Sequence, residues 1–140
     1  MGKREERLAA IRHIVRNTKV STQAELLRLV AEAGFDCTQA TISRDIADLG
    51  LTKHTRSKNY AMPEEAQFER VVVSAASAGN IVVVKTPAGL AQGLAAIIDA
   101  AAFEGILGSV AGDDTIMMVA QDEETATSIA TYIASHRIKK

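Results

Sequence analysis

The stretch Thr38-Gln-Ala-Thr-Ile-Ser-Arg-Asp-Ile-Ala-Asp-Leu-Gly50 decides how this chain is read. Thr38 has the side chain of a helix N-cap, and Gly50 can take the left-handed conformation that stops a helix. Between them Ile42, Ile46 and Leu49 fall on one face. At 100° per residue, Arg44 points about 160° away from that stripe, with Ala40, Thr41 and Ala47 around it and Ser43 toward one edge. One face packs, and the other offers small residues around a single guanidinium. Such a face can enter a DNA major groove, where Arg forks onto guanine and Ser or Thr reach bases or phosphates. The alternative is a solvated surface helix in which Arg44 pairs with Asp48 at i, i+4.

The segments on either side favour the first reading. Upstream, Leu8, Ile11 and Val15 set a helical period over about residues 4–17. Thr22 and Glu25 have capping-box spacing at the head of a second helix, which carries Leu26, Leu27 and Val30 and ends at Gly34. Downstream, residues 51–56 are extended in character, 57–59 turn-like, and 60–62 a return strand. Three helices followed by a basic two-stranded ribbon is the order of a winged helix-turn-helix. Lys53, Arg56 and Lys58 on the ribbon suit phosphate or minor-groove contact, and equally suit an edge protected against strand pairing.

Charge divides the chain in the same place. Of its 140 residues, 1–62 hold eleven Lys/Arg against seven Asp/Glu, and 63–140 hold five against ten. The net charge of −1 thus conceals a basic part of +4 and an acidic part of −5. Only the basic part suits nucleic acid. Residues 1–62 are therefore expected to form a DNA-binding domain, 63–69 a linker and 70–140 a second domain.

That second domain reads as strand, strand, helix, strand, strand, helix. Strands are expected at Val71–Val73, Ile81–Val84, Ile106–Val110 and Thr115–Ala120. A helix capped by Thr86, with Pro87 at its first position, should run to about residue 102 on a Leu90/Leu94/Ile97/Ala101 stripe. A last helix should span Asp122 to about Ser135. The fold class is α+β, an antiparallel sheet with two helices. A domain of this size with runs such as Ile81-Val-Val-Val84 invites self-association.

Asp113 and Asp114 sit between two strands. Adjacent carboxylates repel unless a cation or amide donors satisfy them, and a guanidinium fork matches them well. An ordinary Asp-containing turn reads the same way. Gln92 and Asp99 lie seven apart, within about 20° of each other on one helix. The three histidines give no metal-ligand spacing, and the lone Cys37 allows neither a disulfide framework nor a cysteine zinc cluster. The N-terminus lacks the apolar core of a signal peptide, and no stretch approaches a membrane span of roughly 18–20 apolar residues. A cytoplasmic protein without metal or catalytic group is expected.

The segment Thr38–Asp45 resembles the recognition helix of the bacterial arginine repressor family. Thr86-Pro-Ala-Gly-Leu-Ala-Gln92 and Gly105-Ile-Leu-Gly-Ser-Val-Ala-Gly-Asp-Asp-Thr-Ile116 look like that family's two effector-domain signatures. The resemblance implies a homo-hexamer, a dimer of trimers, with L-arginine as corepressor at the trimer–trimer interface. It implies that Asp113 and Asp114 hold the ligand with Gln92 and Asp99, while Ser109 and Ala111 add mainly backbone contacts. On the DNA side it implies base contacts from Ser43 and Arg44, then Gln39 and Thr41, on a palindromic operator of arginine genes. A second reading keeps the DNA-binding function and replaces arginine by another guanidino or amino-acid effector. A remote third is a metal-dependent enzyme using Asp113 and Asp114.

Overall fold

A computed structural model describes residues 2–139. The chain divides into two compact units, Met1–Pro63 and Glu64–Lys140.

In the first unit, helices α1 (Lys3–Asn17), α2 (Gln23–Glu32) and α3 (Gln39–Leu49) precede a ribbon of β1 (Thr52–Lys53) and β2 (Tyr60–Ala61). Each helix contributes its apolar stripe to one core: Ile11 and Val15, Leu26 and Val30, and Ile42, closed by Val20, Leu51 and Met62. The caps form as expected. The Thr22 hydroxyl accepts the Glu25 amide, the Thr38 hydroxyl accepts the Thr41 amide, and Gly50 is left-handed at φ 69°. The ribbon is minimal, with Thr52 opposite Ala61 and Lys53 opposite Tyr60. The Tyr60 amide donates to the Val20 carbonyl at 2.7 Å and so ties the return strand to the segment before α2.

The second unit carries a four-stranded antiparallel sheet in the order β3 (Ser74–Ala78), β4 (Ile81–Lys85), β6 (Thr115–Ala120), β5 (Ile106–Ala111). Helices α4 (Glu64–Val71), α5 (Ala91–Ala100) and α6 (Glu123–Ser135) share one core with the inner face of the sheet. Along β4 and β6 the residues alternate: Val82, Val84, Ile116 and Met118 are buried. The other face stays apolar yet open. Met117 and Val119 are 44% and 38% exposed, and Val110, opposite Met117, is 69% exposed. A register shift between Ile106 and Gly108 turns Leu107 outward at 73%.

Three local expectations are corrected. The segment expected as a linker is mostly helix α4. Phe68 and Val72, four residues apart, are fully buried in the core of the second unit, and the Tyr132 hydroxyl lies 2.9 Å from a carboxylate oxygen of both Glu64 and Glu65. Val71–Val73 therefore closes a helix rather than forming a strand, and the first strand is the Ala/Ser run Ser74–Ala78. Helix α5 starts at Ala91, not Pro87. Residues 86–90 make a turn with Gly89 left-handed at φ 83°, and the buried stripe is Ala91, Leu94, Ala95 and Ile98, leaving Leu90 42% exposed. Leu94 and Ala101 of the expected stripe stay buried, and Ala91, Ala95 and Ile98 join them in place of Leu90.

Candidate nucleic-acid interface and effector site

Helix α3 exposes Ala40, Ser43, Arg44 and Ala47 at i, i+3, i+4, i+7 spacing. The exposed Arg44 side chain makes no hydrogen bond or ion pair among the described residues, so its five donors are uncommitted. Gln39 is exposed at the first position of the helix. Thr41 is half-buried, with its hydroxyl 3.1 Å from that of Thr38, and does not join the outward stripe. Asp45 was not singled out in the sequence, yet it is the most buried charge in the unit at 1% exposure. Arg7 of α1 forks onto it: Nε donates to Oδ2 at 2.6 Å and Nη2 to Oδ1 at 3.0 Å. Cys37 is half-buried nearby, and burial pushes its thiol up, as suits a packing residue.

On the wing, Lys53, Arg56 and Lys58 are all exposed. The turn is closed by the His54 amide on the Asn59 carbonyl (2.8 Å) and the Lys58 amide on the His54 carbonyl (2.9 Å). Nδ1 of His54 accepts the Arg56 amide at 3.2 Å. The Lys53 ammonium sits 5.4 Å from the centroid of the Tyr60 ring. Three cations thus converge on one short, internally fixed ribbon.

In the second unit Asp113 and Asp114 form the tip between β5 and β6, closed by the Gly112 amide on the Thr115 carbonyl at 2.9 Å. Their own carbonyls are acceptors for the turn before α5. The Thr86 amide donates to Asp114 at 2.9 Å, and the Gly89 and Ala91 amides donate to Asp113 at 3.0 and 3.2 Å. The acidic tip is thereby fastened to the segment that leads into Gln92. Both carboxylates remain exposed. The Thr115 hydroxyl donates to Asp114 Oδ1 at 2.8 Å, and the Lys85 ammonium, also bonded to Thr115, lies 3.5 Å from the same oxygen. The hydroxyl first, and then the ammonium, hold the Asp114 carboxyl below its usual range. Because the folded value is depressed, this stabilisation is complete above the ordinary aspartate value of about 3.9 and is lost as pH falls through the lower one. In an NMR titration, Thr115→Val should raise the Asp114 midpoint; an unchanged midpoint would assign the depression to Lys85 alone.

Gln92 and Asp99 are both exposed on α5, and Ser109 of β5 donates to Asp99 Oδ1 at 3.2 Å. Ala111 is half-buried against the core. The structure thus makes two clusters, Asp113/Asp114 with the turn before Gln92, and Asp99 with Ser109. No hydrogen bond links the clusters among the described residues. Lys85 was missed in the sequence because it lies on another strand, and pairing with Thr115 brings it to the tip. Among the described residues no group of three or more His, Cys, Asp or Glu side chains is placed to hold a metal ion. No described helix is long and apolar enough to cross a membrane.

A basic winged helix with an uncommitted outward Arg, joined to a helix-backed sheet bearing an exposed acidic tip, defines a ligand-responsive DNA-binding regulator. Residues 2–68 match the family model described as arginine repressor, DNA binding domain, and residues 68–135 that described as arginine repressor, C-terminal domain. The arginine repressor of Thermus thermophilus is 40% identical, over 96% of this chain and 90% of its own length. That of Carboxydothermus hydrogenoformans is 44% identical (85% and 89%), and that of Bacteroides fragilis 35% (96% and 96%). The chain belongs to the arginine repressor family. It is an arginine-responsive transcriptional repressor rather than an enzyme.

Proposed function

We propose that this protein represses arginine biosynthesis genes by binding a palindromic operator with L-arginine as corepressor. Ser43 and Arg44 read bases, Gln39 flanks them at the start of the helix, and Thr41 acts through its capping contact with Thr38. Lys53, Arg56 and Lys58 hold phosphates or the adjacent minor groove. Asp113 and Asp114 take the ligand's cationic groups, with Gln92 and Asp99 from α5 and Ser109 and Ala111 from β5 completing the site. The observation that carries the effector assignment is the acidic tip itself. Its backbone is fastened by three amides, and its two carboxylates are left facing solvent. A guanidinium supplies the paired donors such carboxylates accept.

The protein acts as a homo-hexamer, a dimer of trimers, in the cytoplasm. The open apolar strip of Leu107, Val110, Met117 and Val119 supports assembly through the second unit, since a soluble chain rarely leaves such a strip uncovered. Residues 1–62 serve as the DNA-binding domain and 70–140 as the effector and assembly domain. Arginine binding favours the arrangement that presents DNA-binding units to two half-sites.

By linkage, operator DNA raises arginine affinity by the factor by which arginine raises operator affinity. Operator binding measured with and without L-arginine tests this, and equal affinities would sink the corepressor role. Asp114→Ala should weaken arginine binding in calorimetry by roughly tenfold or more. Its operator affinity without arginine should stay unchanged.

A further inference from the structure

Helix α3 holds two carboxylates, Asp45 and Asp48, and each is taken by an arginine of α1. Arg7 forks onto Asp45 at 2.6 and 3.0 Å, and Arg4 Nη2 donates to Asp48 Oδ2 at 2.9 Å. The earlier arginine meets the later aspartate, so the helices run antiparallel here, and the contacts form two rungs one turn apart on each helix. The rungs differ in burial. Asp45 is 1% exposed, whereas the side chains of Arg4 and Asp48 are 53% and 41% exposed.

Asp48 stands four residues after Arg44, within reach of an i, i+4 ion pair on the same helix. In the structure Asp48 is bound by Arg4, and Arg44 has no ionic partner among the described residues. Without Arg4, Asp48 would draw Arg44 back along its own helix. It would also set an unbalanced negative charge on the face that meets phosphates. Asp45 has no such freedom, because it is buried on the fork of Arg7 and lies about 100° round the helix from Arg44.

We infer that Arg4 is a positioning residue for DNA reading: it sequesters Asp48 and so keeps Arg44 uncommitted, beside the buried Arg7–Asp45 pair that joins the same two helices. This rests on the reading of α3 as the helix that enters DNA. The outer rung makes the inference separable from folding, because a half-exposed ion pair contributes little to stability.

The test is operator binding by the full chain at one fixed salt concentration, for Arg4→Gln, Asp48→Asn, the double variant and Arg44→Ala. Arg4→Gln should keep the melting temperature but weaken operator binding by about three- to tenfold. Asp48→Asn alone should bind at least as tightly as the parent. The double variant should return to within about twofold of it, since removing Asp48 removes the competitor for Arg44. A double variant as weak as Arg4→Gln would overturn the inference, because Arg4 would then be a direct phosphate contact. Unchanged binding by Arg4→Gln would overturn it as well. If Arg44→Ala leaves operator binding intact, the assignment of α3 itself fails. If Arg44→Ala weakens binding and Asp48→Asn does not rescue, only the ladder fails.

Discussion

Arg7→Met is expected to destabilise the first unit by about 3–5 kcal/mol, the largest effect foreseen for any single substitution here. The reason is asymmetry. Asp45 is 1% exposed and accepts two hydrogen bonds from Arg7, whose side chain is itself 17% exposed. Removing the guanidinium leaves a carboxylate buried in a low-dielectric surrounding with no counter-charge, and that desolvation is not recovered. Replacing both partners by apolar residues removes the penalty along with the attraction. Arg7→Met/Asp45→Leu should therefore recover most of the lost stability. Urea unfolding followed by a probe in residues 1–63 measures both. A loss below about 1 kcal/mol in the single variant would mean that water reaches Asp45 and the pair is not a buried one.

The second large effect is on DNA. Arg44→Ala should reduce operator affinity by about 1–3 kcal/mol, roughly five- to over a hundredfold. The side chain is exposed, lies at the centre of the outward stripe and is bounded by Ala40 and Ala47, so its removal alters no packing in the core. The loss should fall on the operator and spare unrelated duplexes, because a base contact carries sequence information. Arg56→Ala on the wing should do the reverse. It should weaken both duplexes alike and lower the salt dependence by about one ion. Equal losses on operator and unrelated DNA for Arg44→Ala would make it a phosphate contact, and the reading face would then lie elsewhere on α3.

Much of this was legible in the residues, and the rest was hidden for identifiable reasons. The caps at Thr22, Thr38 and Gly50 are local, set by two or three neighbours, and they formed where expected. The acidic tip lay where two strands had to turn. Helix α4 was missed because its charged start, Pro63-Glu64-Glu65, has the composition of a linker although both glutamates are buried, while Phe68 and Val72, which join the core, look like the opening of a strand. The strand Ser74–Ala78 has neither β-branched residues nor alternation and is defined by its five-residue pairing with β4. The start of α5 was displaced by the Thr86-Pro87 pair, which reads as a cap but is held as a turn by the Asp113 and Asp114 carbonyls. Asp45 sits on a helix flank where sequence alone sees a solvated charge. A signal was available: arginines three apart on α1 match aspartates three apart on α3. Nothing local, however, pairs one set with the other.

The fastening of the acidic tip has a kinetic consequence. The amides of Gly89 and Ala91 share one acceptor, the Asp113 carbonyl, and the Thr86 amide rests on the next. Three hydrogen bonds that depend on two adjacent peptide groups are expected to open together when the tip moves. Their exchange with solvent deuterium would be gated by a single opening of the tip, so one breathing motion governs both the shape of the acidic pair and the entry to helix α5.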